Sequence, residues 1–424
     1  VCLGPERHVC GGTSRRRQSA YYRTMSRMPD GPRALAPDEW EQLNHVVSAV
    51  FRPEMFRDYP QLFNEPNREN LRVIAADGKV VAHVGYIHRP ASLIGCRVEV
   101  ANIGGVATLD EYRGKGYASA CFQDACAKAA RDGVDIMLIS GGRGLYTRVG
   151  CRQVGRGTGF SLTPADVAPL RTAHPPGPTS FSLRPVDRTA IPTLQGLYAG
   201  EPARFLRRLE DWEMAFESGV VMNTASDFWG VFVGDAIAAY LVVHQPSKVR
   251  PRTPDAPTVA RIVEYAGQRA AVAHALPALL DHYGTDRVTL HVSSAPAVFR
   301  KVLQTATGQL GETAGASGTL RVINFPQLME RCRPLLAERI GYAAARDLSF
   351  HADSSPGSPE GGFTMRRGRE EVRIADLASL ALFLFGSPNP VTDPDSAPSG
   401  DSALLSLMEQ ALPLPALWYG ISYV

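Results

Sequence analysis

Between Ile103 and Ser119 the chain reads Ile-Gly-Gly-Val-Ala-Thr-Leu-Asp-Glu-Tyr-Arg-Gly-Lys-Gly-Tyr-Ala-Ser. An apolar run passes through a glycine-rich turn into a helical sequence, and no other stretch restricts the fold as much. Its pattern predicts a strand over residues 97–109 and a helix over Tyr117–Arg131, closed by Asp132-Gly133. Two apolar runs upstream, at residues 71–76 and 80–87, flank Asp77-Gly78, the signal of a tight hairpin. A helix is predicted over residues 37–50, with Asp38 as its cap, and a buried strand over residues 136–140. Helix, antiparallel meander, helix and strand make an α+β unit.

The same order returns further along. A hairpin over residues 228–243 turns at Gly234-Asp235; a strand at 258–265, a helix over Arg269–Tyr283 and a strand at 287–292 follow. An internal duplication with diverged residues accounts for this. Proline and glycine at residues 172–178 mark a linker before the second unit. From Gly318 the pattern changes to an amphipathic helix at 325–340, a polar loop at 353–362, helices at 372–385 and 402–412, and a Pro/Ser/Asp loop at 387–400 between them. The last run, Leu412 to Val424, is apolar to its end, so it is expected to be buried, against the habit of chain ends.

Length supports this division: 424 residues at roughly 150 per domain give about three domains. With 45 Lys+Arg against 42 Asp+Glu, the net charge of +3 provides no field for nucleic acid. Seven scattered cysteines without a Cys-x-x-Cys pair suit a reduced, cytoplasmic setting without structural zinc. The longest apolar stretch, residues 377–385, is far short of the ~20 residues of a membrane span. Residues 1–31, with Arg15-Arg16-Arg17, read as a disordered arm that lacks the apolar core of a secretion signal.

In the central stretch, the glycines let backbone approach a ligand, and the free N–H groups of the helix start point at it, which is how a pyrophosphate is cradled. Arg113 and Lys115 add positive charge there. An ordinary strand-to-helix turn is the alternative. The segment resembles motif A of the GNAT acyltransferases, with Arg113, Gly116 and Ala118 at its three defined positions. Leu145-Tyr146-Thr147-Arg148-Val149-Gly150-Cys151 is similar to the Leu-Tyr-x-Arg-x-Gly-Phe of that family, Cys151 replacing its aromatic. The three-part layout over residues 32–424 further resembles the Eis (enhanced intracellular survival) type of N-acetyltransferase. That resemblance implies an α+β chain of two tandem GNAT-like domains, residues 32–170 and, degenerate, 181–310, followed by a sterol-carrier-protein-like domain at 318–424.

From the resemblance follow acetyl-CoA as co-substrate, no metal, and transfer of acetyl to a primary amine by direct attack. It implies that Val106, Ala107 and Thr108 hold the pantetheine arm and acetyl carbonyl, that Arg113, Gly114, Lys115, Gly116, Tyr117, Ala118 and Ser119 surround the pyrophosphate, and that Gly141 and Gly142 close the other side. It makes Tyr146 the general acid toward the departing sulfur; a packed core aromatic is the other reading. It makes the α-carboxylate of Val424 the base for the amine, against a merely exposed chain end. Gly267-Gln268-Arg269 lacks the motif, so one CoA site is expected. Residues 38–50 and 51–63 should line the acceptor side, where Arg52, Glu54, Arg57, Asp58 and Glu65 form no acidic cluster. Cys121 and Cys126 are read as core residues, and His83 and His88 as non-catalytic. The family further implies a homo-oligomer such as a hexamer. A protein of another class, binding an apolar ligand such as lipid in its third domain beside a regulatory or vestigial CoA site, remains the alternative.

Overall fold

The computed structural model describes residues 28–142, 144–172, 181–248, 253, 256–293, 297–316, 318–358, 360–388 and 398–424. The expected arm up to residue 27, the linker after Thr172 and the centre of the 387–400 loop lie outside these residues. In chain order the strands are β1 (Asp30–Ala34), β2 (Leu71–Ala76), β3 (Lys79–Leu93), β4 (Cys96–Thr108), β5 (Ile136–Ile139), β6 (Gly157–Leu162), β7 (Phe181–Pro185), β8 (Ala203–Phe205), β9 (Val220–Val221), β10 (Thr224–Val233), β11 (Ala236–His244), β12 (Val259–Gly267), β13 (Arg287–Ser293), β14 (Glu312–Ala314), β15 (Thr319–Val322), β16 (Leu348–Ala352), β17 (Phe363–Arg367), β18 (Glu370–Ile374) and β19 (Ser399–Gly400). The helices are α1 (Trp40–Val50), α2 (Met55–Asp58), α3 (Tyr117–Arg131), α4 (Gly144–Arg148), α5 (Pro164–Thr172), α6 (Ile191–Ala199), α7 (Leu209–Ser218), α8 (Arg269–Tyr283), α9 (Val298–Thr307), α10 (Phe325–Arg331), α11 (Arg333–Ile340), α12 (Tyr342–Arg346), α13 (Leu377–Phe385) and α14 (Ser402–Ala411).

Two large sheets share one plan. The first runs β1-β2-β3-β4-β5-β15, with β8 on the outer end of β3; the second runs β7-β10-β11-β12-β13-β6-β14, with β9 on β10. In each, one internal pair is parallel, β4 with β5 and β12 with β13, and the strand beyond it returns antiparallel. That outer strand is exchanged. β6 leaves the first unit to close the second sheet, and β15, beyond the second unit, closes the first. A third, antiparallel sheet, β16-β17-β18-β19, is packed by α10 to α14.

This exchange corrects the expected boundaries. Residues 157–170 do not end the first domain: Phe160, Leu162, Val167 and Leu170 belong to the core beneath β11 to β13 and α8. Nor does the third segment begin at Gly318 as a separate body, because Thr319–Val322 pairs with Ile136–Ile139. An edge strand satisfies its backbone groups on whichever sheet offers a free edge, and sequence adjacency does not choose that edge. At the other end Asp30 and Gly31, expected in the arm, are in β1, where Asp30 pairs with Ala75.

Local corrections have local causes. Asp38 does not cap α1; the helix starts two residues later, and Glu39, held by Arg33 at 2.8 Å, accepts the Ala36 N–H instead. The hairpin of β3 and β4 is longer than its strong apolar part, turning at Ile94-Gly95 with φ of 49° and 84°. The helix expected over 325–340 breaks at Cys332, because Pro334 has no N–H for a continuing ladder and suits the first turn of α11. Residues 372–385 divide into the end of β18 and α13, separated where Asp376 caps the helix through the Ser379 N–H at 2.8 Å.

Candidate active site

The opening between β4 and β5 is built into the register of the first sheet. β4 and β5 pair only from Val100 with Ile136 to Ile103 with Ile139, then diverge. On its other side β4 is bulged: Gly104 opposes Gly85 and Ala107 opposes His83, so Val84 alone faces Gly105 and Val106. Gly105 takes φ of +64°. His83, fully buried, fixes the bulge by donating from Nδ1 to the Gly105 carbonyl at 2.7 Å. Burial pushes its pKa down to about 4, against the opposing pull of the Gly105 carbonyl, so the ring is neutral near pH 7. Val106 is half-buried and Ala107 buried, and among the described residues the buried Thr108 hydroxyl has no hydrogen-bond partner.

Past the bulge, Gly114 and Gly116 have φ of +78° and +80°, and a methyl group on either would touch nothing. The turn is therefore open toward solvent, and only backbone conformation calls for glycine there. No side chain caps α3 at Gly116, leaving the usual unpaired N–H groups of a first turn over Tyr117, Ala118 and Ser119. Arg113 is exposed and pairs with Asp110 at 2.8 Å; the Lys115 ammonium lies 4.5 Å from the Tyr112 ring centroid. An open glycine turn, an uncapped helix N-terminus and two exposed cations fit a pyrophosphate.

The far wall follows β5. Gly141 accepts from the Thr319 hydroxyl at 3.1 Å, and a methyl group on it would stand 3.1 Å from the Tyr146 ring; Gly142 is exposed. Tyr146, on α4, is buried with its ring 5.8 Å from Phe122. Cys121 and Cys151 are buried, which pushes each thiol up to about 12, and Cys126 is raised for the same reason. None of the three is poised as a nucleophile. His88 is engaged by Glu99 at 2.9 Å.

The final run of the sequence enters this opening. A methyl group on Gly104 would meet the Val424 carboxyl carbon at 3.0 Å and Leu62 at 2.8 Å, so the last residue lies directly on β4 at the bulge. Gln61 and Tyr423 touch beside it, and the Tyr423 hydroxyl donates to Ser140 Oγ at 3.1 Å and accepts from Asn223 at 2.6 Å. Both large sheets hold the tail. Asn102 on β4 donates to the Ser422 carbonyl at 2.9 Å, and Glu264 on β12 accepts the Ile421 N–H at 2.9 Å. Glu264 is in turn paired in a buried fork with Arg207, which also donates to Ser422 Oγ at 2.9 Å. On the expected acceptor side, Asp58 is buried and taken by both Arg52 and Arg57, at 2.9 and 3.0 Å.

Val424 thus lies on β4 at the bulge, and Tyr146 lies against Gly141 just past the end of β5. The sequence reading missed Asn102, Arg207, Glu264, Asn223 and Tyr423 as holders of the tail. Only Tyr423 carried a signal, its place in an apolar terminus; the others are polar residues on strands and loops whose partners are 157 or more positions away.

Sheet, bulge and glycine turn together define a mixed α/β protein. More particularly, residues 32–154 match the family model described as the acetyltransferase (GNAT) domain. The chain is similar in structure to a GCN5-related N-acetyltransferase from Kribbella flavida, at 15% identity and a TM-score of 0.63 over 94% of this chain and 98% of that one. It is also similar to a GCN5-related N-acetyltransferase from Anabaena variabilis, with 17% identity, a TM-score of 0.60 and coverage of 92% and 98%. Eis1 from Mycobacterium abscessus matches with 14% identity and a TM-score of 0.58, covering 92% and 99%. No curated protein matches in sequence. These matches show the fold and support acyl transfer in general. Among the described residues no helix is long and apolar enough to cross a membrane.

Proposed function

We propose that the chain is an N-acetyltransferase of the Eis type, moving acetyl from acetyl-CoA to a primary amine by direct attack. Position of the Val424 carboxyl carbon against Gly104, in the β4·β5 opening, carries this reading. Bound acetyl-CoA supplies the activated thioester. The N–H groups around Gly116 to Ser119 hold its pyrophosphate with Arg113 and Lys115, while Gly114 keeps the turn open; Val106, Ala107 and Thr108 hold the pantetheine arm and thioester carbonyl; Gly141 and Gly142 close the cleft. The Val424 carboxylate takes one proton from the ammonium form of the amine, whose lone pair then attacks the thioester carbon. As the C–N bond forms and the C–S bond breaks, Tyr146 gives its proton to the sulfur, and the excess proton on nitrogen returns to solvent. Leu62 and Phe63 exclude water beside Val424, and apolar burial is the setting in which a carboxylate becomes a useful base.

The common strand order of the two sheets supports reading them as tandem GNAT-like domains, with one CoA site because the turn into α8, Gly267-Gln268-Arg269-Ala270-Ala271, lacks the Gly-x-Gly/Ala pattern. The α10 to α14 helices over a small antiparallel sheet suit the sterol-carrier-like reading, and buried free cysteines suit a cytoplasmic setting. Acetyl-CoA turnover against a panel of primary amines, in the native chain and in one extended beyond Val424, tests the proposal. Acetylation by the native chain and its loss on extension are expected; equal rates would remove the terminal carboxylate, and no turnover with any amine would remove the acetyltransferase reading.

A further inference from the structure

The second sheet contains an opening of its own. β12 and β13 pair only from Val259 with Arg287 to Arg261 with Thr289 and then diverge, as β4 and β5 do. No phosphate cradle adjoins it: Gln268 precedes α8 directly, and the Arg269 side chain is paired with Glu201. Instead Trp418 of the tail enters the gap. Its Nε1 donates to the Val263 carbonyl at 2.6 Å and its ring lies flat on His291, with centroids 4.3 Å apart. A cavity of about 140 Å³ remains beside it; of the residues described at the first opening, only Glu264, which anchors the tail from β12, also lines it.

Two features of the lining specify an occupant. Four aromatic rings stand in the apolar wall beside aliphatic groups such as Ile262 and Leu414: Tyr265 on β12, Phe299 on α9, Phe385 on α13 and Trp418. The charged groups there are Arg156, Arg269 and Arg339 against Glu201 and Glu264. Glu201 is taken by Arg269 and Glu264 by Arg207. Arg156 is exposed at the cavity and Arg339 donates only to the neutral carbonyls of Ala411 and Pro413, at 2.7 and 2.8 Å; among the described residues neither has an ionic partner. Two uncompensated guanidiniums beside an aromatic box match an anion carried on a ring. Volume sets the size, since a cavity of ~150 Å³ accepts one benzene ring in another protein.

We propose that this cavity is a binding site for a single-ring aromatic carboxylate, the ring lying among Tyr265, Phe299, Phe385 and Trp418 and the carboxylate on Arg156 and Arg339. It stands independently of acyl transfer at the first opening. Calorimetric titration of the full chain with benzoate, and with benzyl alcohol as the uncharged control, tests it. Saturable one-site binding of benzoate is expected, with benzyl alcohol weaker by roughly tenfold or more, the worth of a charge-assisted hydrogen bond. Arg156→Gln, at an exposed position, should weaken benzoate several-fold and leave benzyl alcohol unchanged. Ala316→Phe, which puts a ring into the cavity from a loop, should abolish both. Equal affinity for the two compounds would overturn the anion assignment, binding that survives Ala316→Phe would place the ligand elsewhere, and no benzoate binding up to its solubility would overturn the site.

Discussion

At the residue scale, Tyr146 lies against Gly141 past β5 and Val424 against Gly104 on β4, so the roles proposed for them can be separated by kinetics. Tyr146→Phe keeps the ring against Phe122 and Gly141 and removes only the hydroxyl. Turnover should fall roughly 100-fold with acetyl-CoA affinity unchanged; unaltered kcat in steady-state assays would dismiss Tyr146 as the acid. Gly104→Ala acts on the other partner. Its methyl group would stand 3.0 Å from the Val424 carboxyl carbon, so the tail must shift, and kcat should drop while cofactor binding, read by calorimetry, stays intact. Glycine at 105 is needed twice over, for φ of +64° and because a methyl there would stand 3.0 Å from Phe63 and 3.1 Å from His83. Gly114 and Gly116 were legible as a turn because glycine punctuates sequence. His83 as a bulge clamp was not, because its partner is a backbone carbonyl that leaves no trace in residue type.

At the element scale, the strand exchange decides what can be cut. Residues 28–154 contain the whole family match but lack Thr319–Val322, the strand that covers the outer edge of β5. That fragment exposes the N–H and C=O groups of Ile136–Ile139 together with their apolar side chains. It should be insoluble or unfolded by circular dichroism; a monomeric, cooperatively melting fragment would contradict the role given to β15. Local patterns predicted β2, α3 and α8 because a hairpin turn or an amphipathic helix is specified within its own residues. They could not show that β6 and β15 change sheets, since both are short strands that look alike whichever edge receives them.

At the scale of the molecule, the tail is locked by the buried Arg207–Glu264 pair, which joins the second sheet to the first opening. Glu264→Gln leaves Arg207 buried without its counter-charge and should cost about 3–5 kcal/mol, read by chemical denaturation. An unchanged stability would show that the pair is not closed in solution. Acid should act on the whole fold as well. Burial pushes the pKa values of His83, His244 and His291 from 6.5 to about 4, so below pH 6.5 the unfolded chain binds protons that the folded chain refuses. Their stabilising effect is complete above pH 6.5 and is lost as pH falls toward 4. Asp135 opposes them, since burial raises it to about 6 and its folded state binds the proton first. Three histidines less one carboxyl leave a net loss of at most roughly 3 kcal/mol per pH unit between pH 6 and 4. Denaturation midpoints at pH 7, 6 and 5 should fall accordingly, and a flat profile would mean that these histidines are not held neutral.

By itself the sequence determined the things written in neighbouring residues: the glycine turn and the helix it opens, the hairpins at Asp77-Gly78 and Gly234-Asp235, the repeated order of elements, and the burial of an apolar terminus. The tertiary structure alone decided which sheet each edge strand joins, that Trp418 fills one opening while Val424 reaches the other, and that Asn102, Arg207 and Glu264 hold the tail between them. The physical reason is range. Turn geometry and amphipathic spacing act over a few residues, whereas a free sheet edge, a buried charge pair and a cleft are satisfied by whichever distant groups the packed chain brings within hydrogen-bonding distance.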